Sequence, residues 1–235
     1  MSTSTTARTR HARQLAADEA ARAASRRRAL LLMTGGALLI GLVVVGAALI
    51  LGRGSGPALP SITAYSTVFP GVPQSGHVLG SEDAPVTLDV YEDFQCPACL
   101  NWTASVLPGL VQAEVTAGTV RIVAHDNAFI GPESILAGRA AWAAEQQGRF
   151  WDYDIGLYRM QGAENSGVYT EASLTALAGE LGLDLDQFGR DLNSNASLSA
   201  VQKARDEAQA KGISSTPTVL LNGVRQQNSS LDSLR

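Results

Sequence analysis

The chain has 235 residues and only two cysteines, three positions apart in Cys96-Pro97-Ala98-Cys99. Residues at that spacing on the first turn of a helix share a face, near the separation that a disulfide requires. A cysteine at a helix N-terminus meets unpaired N–H groups and the positive end of the helix dipole. Both favour the thiolate, the form that attacks a disulfide. Pro97 suits the first helical position, where its missing N–H has no partner to lose. The chemistry this permits is thiol–disulfide exchange, in which one sulfur attacks and the other displaces whatever was captured. Two plainer readings compete. A passive crosslink closing so short a loop would add little stability, because the gain shrinks as the closed loop shortens. A metal pair would need further ligands, and the chain has only His11, His77 and His125, with His11 beyond an apolar segment described below. A four-cysteine zinc site and a disulfide-scaffolded mini-protein are excluded by the cysteine count.

The dithiol needs a strand before it and a helix after it, and the flanking sequence supplies both. Val86–Glu92 (VTLDVYE) is rich in β-branched and aromatic residues and reads as a strand. A helical stretch runs from Ala98 to about Ala117, with Pro108 expected to kink it. Thr119–His125 reads as a second strand. Residues 132–211 are helical in pattern, with Leu174, Leu177, Ala178 and Leu181 repeating at three and four. Thr218–Leu221 is a short buried-type strand after Pro217, and Asn222-Gly223 signals a hairpin. Only Ser229–Arg235 remain for a closing helix. Strand, helix, strand calls for a parallel crossover, and the hairpin adds an antiparallel strand.

The composition, 45% hydrophobic and 17% charged, is that of a folded protein. Residues 1–28 carry a net charge of +5 and residues 53–235 carry −9, so the main domain lacks the basic surface that nucleic acid demands. From Ala29 to Gly52 run 24 uncharged residues. As a helix they would span roughly 36 Å, enough for a hydrocarbon core of about 30 Å. Arg26, Arg27 and Arg28 precede this run and Arg53 alone follows, which places residues 1–28 in the cytoplasm and the remainder outside. A cleaved signal peptide would have a shorter apolar run, so the segment reads as an anchor. Residues 53–76, with Pro57, Pro60, Pro70 and Pro73, read as a tether, and the folded domain is expected from 77 to 235.

Several of these segments resemble the DsbA-like thiol:disulfide oxidoreductases, in the branch that is often membrane-anchored. The resemblance rests on Gly80-Ser81-Glu82-Asp83-Ala84-Pro85-Val86, Asp93-Phe94-Gln95-Cys96-Pro97-Ala98-Cys99, Phe129-Ile130-Gly131-Pro132-Glu133-Ser134, Gly148-Arg149-Phe150-Trp151 and Leu181-Gly182-Leu183-Asp184 with Phe188. Gly212-Ile213-Ser214-Ser215-Thr216-Pro217-Thr218 completes it. It implies an α/β thioredoxin-like fold with an inserted helical domain (132–211). Cys96 would be the attacking thiolate and Cys99 the resolving thiol, the two forming a disulfide. The Thr216–Pro217 bond would be cis beside them, with the Thr216 backbone pairing to an extended substrate. Read without the resemblance, Pro217 is an ordinary strand-opening proline.

Three departures from the family pattern stand out. Val90 occupies the place, six residues before the attacking cysteine, where the family often carries a carboxylate that assists proton transfer. Glu92, two residues on and so on the same strand face, is the candidate substitute, while Asp89 and Asp93 would face the other way. The plainer reading makes Glu92 and Asp93 solvated turn residues. The dipeptide Pro97-Ala98 lacks the histidine often found there, which should acidify Cys96 less and make the couple less oxidising. The terminal helix is also short.

Around the dithiol, Trp102 is a candidate for lining a peptide groove, and Trp142 and Trp151 for the core of the insertion. His125 could approach the dithiol or bind a metal, although a polar strand end is the plainer reading. Asn101, Asn195 and Asn228 open sequons that are treated as incidental. The expectation is a membrane-anchored, extracytoplasmic enzyme, with no metal and no cofactor, that forms disulfides in exported cysteine-containing proteins. Its reoxidant would be a quinone-linked membrane protein of the DsbB or vitamin K epoxide reductase type. The alternatives are a reductase or isomerase of the same fold, or a non-enzymatic metal-binding or chaperone module.

Overall fold

The computed structural model describes residues 68–226. Two short strands, β1 (Gln74–Ser75) and β2 (Val78–Leu79), lead into β3 (Val86–Glu92). Then come α1 (Pro97–Ser105), α2 (Leu107–Leu110) and a wide π-type turn over Val111–Val115, followed by β4 (Val120–Asp126). The insertion contributes α3 (Pro132–Glu145), α4 (Phe150–Met160), α5 (Glu171–Glu180), α6 (Leu185–Leu192) and α7 (Asn195–Ala210). A hairpin of β5 (Thr218–Leu221) and β6 (Val224–Arg225) follows.

The sheet order is β1-β2-β4-β3-β5-β6. Strand β3 lies at its centre, parallel to β4 from Val86↔Val120 to Glu92↔Asp126 and antiparallel to β5 from Leu88↔Leu221 to Tyr91↔Thr218. This register positions the site. The end of β3 lies beside the start of β5, so the loop carrying Cys96 meets the loop carrying Thr216 and Pro217. The β5–β6 turn holds Asn222 at φ 47° and Gly223 at φ 81°, the two positive angles that a tight hairpin turn asks of this dipeptide. Asn222 also braces β3, its Oδ1 accepting the Thr87 N–H at 2.8 Å.

One face of the sheet, with Leu88 and Val90, joins Ile122, Trp102 and the α4 residues Trp151, Ile155 and Tyr158 in the main core. The other face, with Tyr91 and Leu220, is covered by Ala208 of α7 and by Ile213. Full burial of each large apolar side chain contributes about 1.5–3 kcal/mol, so the shared core holds the insertion firmly to the sheet.

One expectation is revised and two are sharpened. The tether does not reach residue 76, because Val68 and Phe69 are buried in the main core and β1 pairs with β2. The helix expected from Ala98 to Ala117 is broken at Val106, just ahead of Pro108, which takes an early α2 position where no helical N–H is required. The helical block resolves into five helices, with Thr170, Asp184 and Ser194 capping α5, α6 and α7. The segment 1–28, the apolar run 29–52 and the closing helix 229–235 lie outside the described residues. Among the described residues no helix is long and apolar enough to cross a membrane.

Candidate active site

Cys96 caps α1, with extended backbone angles (φ −76°, ψ 117°) and Pro97 next in line. Its carbonyl accepts the first helical N–H groups, from Cys99 at 3.1 Å and Leu100 at 3.2 Å. Pro97 and Ala98 are exposed, Cys96 is 7% exposed, and Cys99 is fully buried under the turn. The Thr216–Pro217 peptide is cis, and the Cys96 Sγ lies 3.4 Å from the Thr216 carbonyl oxygen. Both cysteines are free thiols here.

The two sulfurs are electrostatically unlike. The Cys96 thiol is lowered from 9.0 to about 6, first by the hydrogen bond from the Cys99 thiol. Burial works against this, while the Thr216 side chain and the backbone groups of Cys99 and Ala98 add to it. Cys99 is pushed far above the ordinary thiol range, first by burial, then by its bond to Cys96 and by the negative charges of Glu92 and Cys96. One sulfur is therefore ready to attack or leave as an anion, and the other must carry a proton unless it is bonded.

Glu92 and Asp93 are both buried, so neither is a solvated turn residue. Glu92 is 7% exposed and accepts the Thr103 hydroxyl at 3.3 Å. Its carboxyl is raised well above the ordinary range by burial and then by the charge of Asp154. Thr103 opposes this and Cys96 adds to it. Asp93 is a brace. Its Oδ1 accepts the Gln95 N–H (2.8 Å) and the Ser134 hydroxyl (2.6 Å), and its Oδ2 accepts the Phe129 (2.9 Å) and Ile130 (3.0 Å) N–H groups. Gln161, just past α4, donates to the Phe94 carbonyl at 2.6 Å and the Cys96 carbonyl at 3.2 Å, and the Tyr169 hydroxyl donates to Phe94 at 2.9 Å. Loop 93–96 is thus clamped by the insertion.

Other expected residues fall elsewhere. Trp102 is buried in the main core and lines no groove, while Trp142 is only half-buried and Trp151 is core. His125 lies on the opposite face of the sheet, bonded to Asp89 at 2.8 Å and stacked on Tyr91 at 4.3 Å, so it does not approach the dithiol. Asn101 and Asn195 are exposed on α1 and α7, and Asn228 lies outside the described residues. Sequence reading missed Asp154, Tyr158 and Gln161. The first two lie on the same face of α4 as Trp151, at spacings of three and four, and that periodicity could have flagged them.

A family model described as Thioredoxin matches residues 73–235. A 161-residue stretch is 34% identical to the "Probable disulfide bond formation protein D" of Bacillus anthracis, covering 67% of this chain and 74% of that protein. The chain belongs to the DsbA-like thiol:disulfide oxidoreductases. Among solved structures, the oxidised BdbD of Bacillus subtilis superposes with a TM-score of 0.62 at 27% identity, over 66% of this chain and 86% of that one. A thioredoxin-like oxidoreductase from Silicibacter pomeroyi DSS-3 matches with a TM-score of 0.54 at 31% identity, over 66% and 83%. As a DsbA-like oxidoreductase the chain is an enzyme that exchanges disulfides with cysteine-containing substrates. At Val90, where a carboxylate was looked for, the side chain packs in the core, and the buried carboxyl stands two residues later at Glu92, whose charge helps raise Cys99.

Proposed function

We propose that this DsbA-like oxidoreductase is anchored in a membrane by residues 29–52, faces outward, and donates its Cys96–Cys99 disulfide to exported proteins. The observation that carries this reading is the asymmetry of the sulfurs. Substrate thiolate attacks the outer sulfur of Cys96, a mixed disulfide forms, and Cys99 is expelled and takes a proton. A second substrate thiolate then attacks the mixed disulfide and expels Cys96, which leaves readily as an acidified thiolate. Glu92 is the proton donor to Cys99 in this cycle, and burial makes its carboxyl hold a proton to higher pH than an ordinary glutamate. The Thr216 backbone, within reach of Cys96, pairs with the extended substrate segment. A membrane reoxidant of the DsbB or vitamin K epoxide reductase type restores the disulfide, and confinement to one surface raises its effective concentration.

A second reading, a reductase or isomerase, is favoured by Ala98, since no imidazole stands beside the thiolate to favour the reduced form further. The equilibrium potential against glutathione decides between them. The oxidase reading expects a couple more oxidising than glutathione, and a strongly reducing value would replace it with the second reading.

A further inference from the structure

Gln161 caps the C-terminal end of α4. Among the described residues it is the one side chain of the insertion that bonds to the backbone of an active-site cysteine. Its Nε2 donates to the Phe94 carbonyl at 2.6 Å and to the Cys96 carbonyl at 3.2 Å, two acceptors on either side of Gln95. An amide nitrogen carries two hydrogens, so both bonds can form at once. The segment that Gln161 opens is tied to the same loop further on. Gln95 Oε1 accepts the Asn165 N–H at 2.6 Å, and the Tyr169 hydroxyl donates to the Phe94 carbonyl at 2.9 Å. Glu133 holds the Gly167 and Tyr169 N–H groups at 2.9 and 3.0 Å. The Cys96 carbonyl is also the first acceptor of α1, taking the Cys99 and Leu100 N–H groups. Its orientation therefore sets the direction of the first helical turn, whose free N–H groups favour a thiolate. The Cys96 Sγ meets the Thr216 carbonyl oxygen at 3.4 Å, so a small rotation of that turn changes how the sulfur faces the Thr216 loop.

We propose that Gln161 is a positioning residue for the redox step: through the Cys96 carbonyl it holds the first turn of α1 against the Thr216 loop, so that the helical insertion sets how readily Cys96 leaves as an anion. The inference rests on the reading of Cys96 as the attacking and leaving sulfur. Gln161 gives and takes no proton. Its weight falls on the step in which a second substrate thiolate attacks the mixed disulfide. There a bond forms between the two substrate sulfurs, the bond from substrate to Cys96 breaks, and its electron pair goes to the Cys96 sulfur. The Phe94 and Cys96 carbonyl dipoles turn their negative ends to the loop that carries this new charge, and the two amide hydrogens offset them. Without the donor the turn is free to rotate and the anion loses support, while a neutral or disulfide-bonded sulfur loses little.

The test titrates the thiolate absorbance of the reduced full chain and equilibrates the same samples with glutathione at pH 8. Gln161→Leu keeps the bulk and removes the donor. It is expected to raise the Cys96 midpoint by about one unit and to shift the glutathione equilibrium about tenfold toward the disulfide, or about 30 mV. Gln161→Glu keeps the shape and sets a carboxylate where two carbonyls need a donor, so it should raise the midpoint at least as far. A side chain that only filled space would let Gln161→Glu titrate as the wild type, and that result, or an unmoved midpoint in Gln161→Leu, would overturn the proposal. A wild type that itself titrates near 9, the ordinary thiol value, would overturn the reading of Cys96 instead. In the unsubstituted reduced chain, the Gln161 side-chain amide signals in NMR should move with the Cys96 midpoint and stay flat in Cys96→Ala. Flat signals in the wild type would overturn the proposal even if both Gln161 variants fail to fold.

Discussion

At the scale of residues, the site consists of two sulfurs made unlike by their surroundings. Cys96 titrates near 6 when folded and near 9 when unfolded, so the unfolded chain binds the extra proton between those values. The stabilising contribution of its thiolate is full above about pH 9 and is lost as pH falls through 6. Chemical denaturation of the reduced and oxidised forms should show the reduced protein gaining on the oxidised one as pH rises from 6 to 9, and parallel curves would refute the acidified Cys96. Glu92 has the opposite sign. Its folded carboxyl holds a proton that the unfolded chain releases near pH 4.5, so it costs stability at pH 7. Glu92→Gln keeps an acceptor for Thr103 and removes that cost. It should raise the denaturation midpoint at pH 7 while slowing exchange. The cysteine pair and its proline were legible in the sequence because motif and spacing carry them, whereas the distant Thr216-Pro217 loop was legible only through the resemblance to the family. The burial of Glu92 and Asp93 was not, since period-two alternation cannot show that helices cover both faces of a sheet.

At the scale of elements, β3, β4, β5 and the Asn222-Gly223 turn were legible as runs of β-branched residues bounded by turn signals. Strands β1 and β2 were not, being two residues each within a segment rich in Gly and Pro. Gly80 shows what these short strands require. It leaves β2 at φ +109°, and a Cβ there would lie 2.8 Å from Val115 Cγ1 and 3.0 Å from the Val120 carbonyl oxygen. The backbone neighbour cannot yield, and an L side chain disfavours that angle. Gly80→Ala is therefore expected to destabilise the fold by about 2–3 kcal/mol, read as a lowered denaturation midpoint. A loss under 0.5 kcal/mol would show that the β2–β4 edge adapts. The break at Val106 was expected from Pro108, but the π-type turn after it has no sequence signal, because it is set by packing of Val111 and Val115 into the core.

At the scale of the whole molecule, the helical insertion is more than a cover for the sheet. It clamps the active loop through Ser134, Gln161 and Tyr169. Helix α4 reads in sequence as an ordinary amphipathic helix (FWDYDIGLYRM), and nothing in that pattern tells the paired Asp152 from the unpaired Asp154. The charge contrast between residues 1–28 and 53–235, with the apolar run between them, supports an outward-facing domain at a membrane surface. The most direct measurement is covalent trapping by the full chain carrying Cys99→Ser, resolved on non-reducing gels. The account predicts mixed disulfides between Cys96 and exported cysteine-containing proteins, released by reductant and absent when Cys96 is also replaced. A chain that stays free of adducts while the wild type oxidises a dithiol peptide would contradict the roles assigned to the two sulfurs.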